Sequence, residues 1–384
     1  MKYCLFFTPF QPYPTGGGSA MRASIMLEAL TAHYRVIVIH PELWAVRTGI
    51  FHEEWVRARA AAYFRIRPDR LAGIGSLVED FLSDLQPAAE IDAVFAFRQS
   101  VAPIAIRCFA LAAAVPRVRI LDLDDDECSR NSQFIPLHEA AGHPERADLL
   151  RAELPQMGLF RSMLMPRFNQ ICLANPADCS ALQRQHPGLT VVHLPNAVRA
   201  PGKSPAASKP AGQRLLFVGS LDYLPNEDAI TSFVRETLPL LRTFDPGITL
   251  RVVGVGHSPA LERMAGLPGL ELVGAVRDLG PEYGAANALV VPLRAGSGTR
   301  IKILEAFRHG TPVISSTKGA EGLGIADGEH LLIADSPTEF AAACLRVIRN
   351  SELSRRLAAN GLDFVLRNHS TEAVRRIISA MIEK

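Results

Sequence analysis

Long apolar runs, a charge excess of one sign and paired cysteines are all missing from this 384-residue chain. No uninterrupted apolar segment reaches the roughly 20 residues that a membrane-spanning helix needs. The amino-terminal MKYCLFFTPFQPYP has one lysine and an apolar run cut short by prolines, too little for the apolar region of a signal peptide. Charge is balanced, 41 basic residues against 39 acidic for a net +2, so the field that nucleic-acid binders present is absent and no nucleic-acid partner is expected. The six cysteines (Cys4, Cys108, Cys128, Cys172, Cys179 and Cys344) contain no CxxC pair, and several sit in apolar runs where a reduced thiol behaves as a small hydrophobe. These absences point to a soluble cytoplasmic protein.

What is present is an ordinary globular composition, 48% hydrophobic and 21% charged, on a length that suits two or three domains. Short apolar runs, YCLFF, VIVIH, AVFAF, VRILDL, ICLA and VVHLP, alternate with helical stretches such as SAMRASIMLEAL. Continuous apolar runs of this length fit strands buried on both faces, and their alternation with helices fits βαβ units of a parallel sheet. The rhythm stops at APGKSPAASKPAGQ, which has no apolar periodicity, and resumes with RLLFVGS, TLRVVGVG, LELVGAV, ALVVPL, PVIS and HLLIA. From about 337 onward the pattern is helical, with Ser370 placed to cap a last amphipathic helix. The expected fold class is therefore α/β: a Rossmann-like doubly wound domain over 1–199, a linker over 200–213, a second such domain over 214–366, and a terminal helix over 367–384 that packs back on the first domain.

Ligands of open α/β sheets bind beyond the carboxyl ends of the strands, which directs attention to AGSGTRIKILEAFRHGTPVIS. Gly296 and Gly298 let backbone approach a ligand, Ser297 or Thr299 is placed to cap the helix, and free N–H groups at the helix start favour an anion. Arg300 and Lys302 add positive charge there, and Glu305, further along the helix, suits paired hydroxyls. A phosphate bearing a sugar meets all of these. A plain helix start, with solvated basic residues and Glu305 paired to Arg300 or Arg308, fits the same residues.

The segments LLFVGSLDYLPNEDAI, LELVGAVRDLGPEYGAANALVVPL and GSGTRIKILEAFRHGTPVISSTKGAEGL, in this order and spacing, resemble the retaining glycosyltransferases of family 4, of glycosyltransferase group 1 type. That resemblance implies the GT-B fold of two facing Rossmann-like domains and a nucleotide diphosphate sugar as donor co-substrate, with no cofactor. It implies that Glu305 accepts from the donor ribose, that Gly219, Ser220 and Gly254 lie near the donor, and that Gly274, Val276 and Arg277 border its base. It also implies that Gly16, Gly17 and Gly18 form a loop near the diphosphate or the acceptor; their spacing does not make the dinucleotide fingerprint GxGxxG, so NAD is disfavoured. Two departures stand out. The first of the family's two glutamates is replaced by Ser297, and its Arg/Lys pair after the domain's first strand is replaced by a stretch containing Asp222, Asn226, Glu227 and Asp228. The diphosphate charges are accordingly assigned to Arg300 and Lys302. The expected function is a glycosyltransferase, hexosyltransferase in type and retaining, acting on a glycan, lipid-linked or small-molecule acceptor. The alternatives are a sugar-nucleotide epimerase or hydrolase of the same fold, or a degenerate nucleotide-binding partner protein.

Two further stretches carry charge. LDLDDDE sets Asp122, Asp124, Asp125, Asp126 and Glu127 at a strand's carboxyl end, open to an acceptor contact by Asp125, to a helix cap, or to a hard metal ion. No metal is assigned, because helix dipole and basic residues suffice to neutralise a leaving diphosphate. WVRARAAAYFRIR, residues 55–67, reads as a basic aromatic helix that either packs with its arginines solvated or lies peripherally on the inner face of a membrane.

Overall fold

The computed structural model describes residues 2–15, 17–43, 52–67, 90–111, 115–199, 213–296 and 298–383. Two parallel sheets organise them. The first has seven strands: β1 (Lys2–Phe7), β2 (Arg35–Pro41), β3 (Ala62–Ile66), β4 (Glu90–Phe97), β5 (Val118–Asp124), β6 (Gln170–Leu173) and β7 (Val191–His193), in the order β3-β2-β1-β4-β5-β6-β7. The second has six: β8 (Arg214–Val218), β9 (Thr249–Val253), β10 (Leu270–Gly274), β11 (Ala288–Val291), β12 (Val313–Ser315) and β13 (Leu332–Ile333), in the order β10-β9-β8-β11-β12-β13. Each order reverses once, between β1 and β4 and between β8 and β11, which are the switch points where such sheets hold ligands.

The continuous apolar runs are explained by what covers the sheets. Side chains alternate faces along a strand, so the first sheet's runs divide into two cores. Cys4, Phe6, Val36, Val38 and Phe95 belong to one, and Leu5, Phe7, Ile37, Ile39 and Val94 to the other. The first core is closed by the helix Gly18–Leu30 and by the helix Thr371–Glu383, whose Val374, Ile378, Met381 and Ile382 recur at helical spacing on one face. The second sheet's core gathers Leu215, Phe217, Val252, Leu289 and Val291 against Ile303, Leu304 and Phe307.

Compact grouping of the chain gives one unit of Met1–Cys128, Glu153–Ala197 and Thr371–Lys384, and a second of Ser129–Ala152 and Val198–Ser370. The linker expected at 200–213 lies outside the described residues except for Gln213. All six cysteines are free. Among the described residues no helix is long and apolar enough to cross a membrane.

The basic aromatic helix expected over 55–67 does not form. Only Glu53–Arg57 is helical, and Ala62–Ile66 is the edge strand β3, held there by parallel pairing with β2, from Ile37 with Ala62 to Pro41 with Ile66. Its arginines are engaged locally: Arg57 with Glu53 at 3.0 Å, Arg65 with Glu42, and Arg59 over the Trp55 ring at 4.0 Å.

Candidate functional site

The helix Ile301–Arg308 follows β11 at the switch point of the second sheet. Ile303, Leu304 and Phe307 bury one face of it, which leaves Lys302 and Glu305, three residues apart, together on its flank. The preceding loop turns through Gly296 and Gly298 at φ of 115° and 74°, a region open to glycine and costly for other residues. The left-handed turn at Gly298 also delays the helix. It begins at Ile301 with Arg300, rather than Thr299, in the N-cap position and without a side-chain cap from it. Ser297 itself lies outside the described residues. Arg300 is 7% exposed and donates from Nη1 to the Gly298 carbonyl at 2.7 Å.

Lys302 reaches away from its own helix to the end of β8. Its Nζ donates to Asn226 Oδ1 at 2.9 Å and lies 4.2 Å from the centre of the Phe217 ring, a cation–π contact. Asn226 Nδ2 in turn donates to the Ser220 carbonyl at 2.9 Å. A Cβ at Gly219 would stand 2.6 Å from Asn226 Nδ2 and 2.9 Å from Lys302 Nζ, so any other residue there would push these side-chain ends aside. Gly254 is required, because its Cβ would fall 1.7 Å from the Gly219 backbone carbonyl oxygen. The Gly254 N–H donates to the Gly274 carbonyl at 2.9 Å. Gly219, Ser220, Gly254, Gly274 and Lys302 thus meet at one end of the second sheet. Val276 packs against the core, and Arg277 is exposed.

Glu305 forms no ion pair with Arg300 or Arg308 among the described residues. Its carboxylate accepts from the Tyr283 hydroxyl at 3.1 Å, and Tyr283 is fully buried, stacked on His309 with ring centres 5.2 Å apart. Burial pushes the Glu305 carboxyl up, opposed by the Tyr283 hydrogen bond and by Lys302. Burial pushes the Lys302 ammonium down to about 7, helped by Arg300 and opposed by Glu305. An anion placed beside Lys302 would favour its charged form.

The first unit assembles a separate cluster. Arg98 follows β4 and Asp124 ends β5, and they are the two non-glycine residues with positive φ among the described residues, at 80° and 64°. Arg98 donates to Asp124 at 2.6 Å, to Asp125, and to Ser19 Oγ at 3.1 Å. Arg22 grips Asp122 with two hydrogen bonds of 2.8 and 2.9 Å and reaches Asn196 at 3.0 Å; Arg161 donates to Asp126 at 3.0 Å. The acidic stretch is therefore answered by arginines from three other elements. Among the described residues no three His, Cys, Asp or Glu side chains converge as metal ligands would. Gly17 and Gly18 open the helix Gly18–Leu30, whose first turn carries Ser19; Gly16 lies outside the described residues.

Three participants had no sequence signal of their own. Tyr283 reads as a core tyrosine, Arg22 as one polar residue in a helix, and Asn226 only as a place where a basic residue is absent. Arg98 was accessible to a simple rule, since it stands just past a strand's carboxyl end at a switch point.

Residues 212–350 match the family described as glycosyl transferases group 1. This span contains the Lys302 and Glu305 site and not the arginine–aspartate cluster. Among proteins of known name, the chain is 31% identical over 224 residues to a phosphatidyl-myo-inositol mannosyltransferase of Mycobacterium leprae, covering 55% of this chain and 59% of that one. The chain spans about half the length of the curated relatives it matches. Among solved structures it resembles sucrose-phosphate synthase from Thermosynechococcus elongatus, with a TM-score of 0.67 and 16% identity over 100% of this chain and 98% of that one. Anabaena HepE, solved in complex with UDP and glucose, gives a TM-score of 0.67 at 14% identity over 99% of both chains. These likenesses settle the fold as GT-B, with two Rossmann-like parallel-sheet domains.

Proposed function

We propose that this chain is a glycosyltransferase that moves a hexosyl group from a nucleoside diphosphate sugar to an acceptor. One observation carries the reading: at the switch point of the second sheet, a single helix presents a lysine against a glycine turn and, one turn on, a half-buried carboxylate held by a tyrosine. In this reading Glu305 accepts from the ribose hydroxyls while Lys302, Arg300 and the backbone at Gly219 and Ser220 hold the diphosphate. Charge developing on the departing diphosphate then meets cations already in place, which is where most of the rate enhancement would arise.

The matching family segment supports the donor class, and the mannosyltransferase relative and the UDP and glucose complex support a hexose donor. Retention of anomeric configuration follows the family resemblance. The acceptor is a glycan, a lipid-linked molecule or a small molecule, and Asp125, at the carboxyl end of β5, is assigned to it or to the transferred sugar. No metal or cofactor is assigned a step.

Calorimetric titration with UDP, GDP, ADP and TDP, followed by the sugar conjugates of the nucleotide that binds, tests the reading. Selective micromolar binding of one nucleotide, with sugar release only when an acceptor is supplied, is the expected outcome. Binding of none would sink the function and leave the fold untouched.

A further inference from the structure

We infer that Asn226 is a positioning residue for the diphosphate, holding the Lys302 ammonium at the Gly219–Ser220 turn without neutralising it. The inference rests on the proposed donor site and goes beyond it by assigning a role to a residue on a different helix, Leu224–Ser232.

The amide's orientation is determined by its partners. A backbone carbonyl only accepts and an ammonium only donates, so Nδ2 must face the Ser220 carbonyl and Oδ1 must face Lys302. Both ends of a side chain that is 5% exposed are thereby used. The connection joins residues 76 apart in sequence, and Gly219 leaves the space through which it passes.

The chemistry of an amide is what the site needs. A carboxylate at 226 would form an ion pair with Lys302, cancel the charge that an anionic ligand seeks, and turn a repulsive oxygen toward the Ser220 carbonyl. An apolar residue would leave the ammonium unheld over the Phe217 ring. Asn226 fixes direction and adds no charge to cancel that of the ammonium. The other charged groups that bear on Lys302, Arg300 and Glu305, come from its own helix or the residue before it, while Phe217 of β8 and Asn226 of its own helix face it as neutral groups.

The test is titration of the full chain with UDP and uridine, and with GDP and guanosine, comparing the unaltered protein with Asn226→Ala and Asn226→Asp. The expected result is that Asn226→Ala weakens the diphosphate roughly tenfold, the worth of one hydrogen bond to a charged group, and leaves the matching nucleoside unchanged. Asn226→Asp, closest in shape, should weaken the diphosphate at least as much and should shift the pH at which its affinity falls upward, since a carboxylate keeps Lys302 protonated. Equal losses for nucleoside and diphosphate would show a merely structural role and overturn the inference, as would unchanged diphosphate affinity in both variants. Failure of the unaltered protein to bind either nucleotide would instead overturn the donor-site reading on which the inference stands.

Discussion

Replacing Lys302 by methionine should stabilise the ligand-free protein while removing its grip on a diphosphate. The ammonium's ordinary value of 10.5 is driven down to about 7 by burial, and this difference amounts to roughly 5 kcal/mol of penalty at about 1.4 kcal/mol per pH unit. Because the side chain is partly exposed, solvent screening trims that figure. Methionine also strands Asn226 Oδ1, at a cost of about 1–3 kcal/mol, and takes a favourable neighbour from Glu305. A net gain of about 2 kcal/mol remains below neutral pH, where Lys302 is charged in the folded and unfolded chain alike. Between pH 7 and 10.5 the folded lysine is neutral while the unfolded one still holds its proton, so the native protein gains stability as pH rises and the variant's advantage fades. Thermal unfolding at pH 6 and pH 10 reads this directly. At about 2–4 °C per kcal/mol for a domain of roughly 150–250 residues, the variant should melt about 4–8 °C higher at pH 6 and no higher at pH 10. A lower melting temperature at pH 6, or the same gain at both pH values, would refute the claim that desolvation of a charge dominates at this position.

Three other outcomes follow from the same geometry. Glu305→Ala should weaken nucleotide binding by about 1–3 kcal/mol through loss of the ribose contact, read by calorimetry, and unchanged affinity in a folded variant would discard that assignment. Gly254→Ala must displace backbone, since its Cβ would lie 1.7 Å from the Gly219 oxygen; a loss of at least about 3 kcal/mol in chemical denaturation is expected, and near-normal stability would contradict the packing. Chelator treatment should leave transferase activity intact, whereas activity lost and then restored by Mg²⁺ or Mn²⁺ would give the Asp124–Asp125 stretch a metal role.

How far the sequence could be read depended on whether a feature was local. Continuous apolar runs needed only their own residues to announce parallel strands, and every one of them is a strand, though β7 and β10, at sheet edges, are not fully buried. β3 escaped because Ala62–Ile66 is an edge strand of mixed character, whose arginines and aromatics imitate one face of a helix until the neighbouring β2 decides otherwise. The glycine turn before Ile301 was legible, but its cap was not, because a left-handed turn at Gly298 shifts the helix start by backbone geometry that no residue type declares.

Side-chain partnerships were the least legible of all, for a physical reason. Asn226 and Lys302 are 76 residues apart and Arg22 and Asp122 are 100 apart, joined only because parallel-sheet topology brings successive strand ends to one edge. Sequence comparison marks the absence of a basic residue after β8 as a loss. The structure accounts for it differently, since the ammonium that reaches the Gly219 turn comes from the helix after β11 and is received there by the amide standing in the vacated stretch. A cation at both places would put two like charges near one another in a desolvated pocket, raising the cost already borne by Lys302, which Arg300 increases. A neutral residue at 226 is thus compatible with the charged one at 302, and changing either alone should disturb the other before it disturbs the fold.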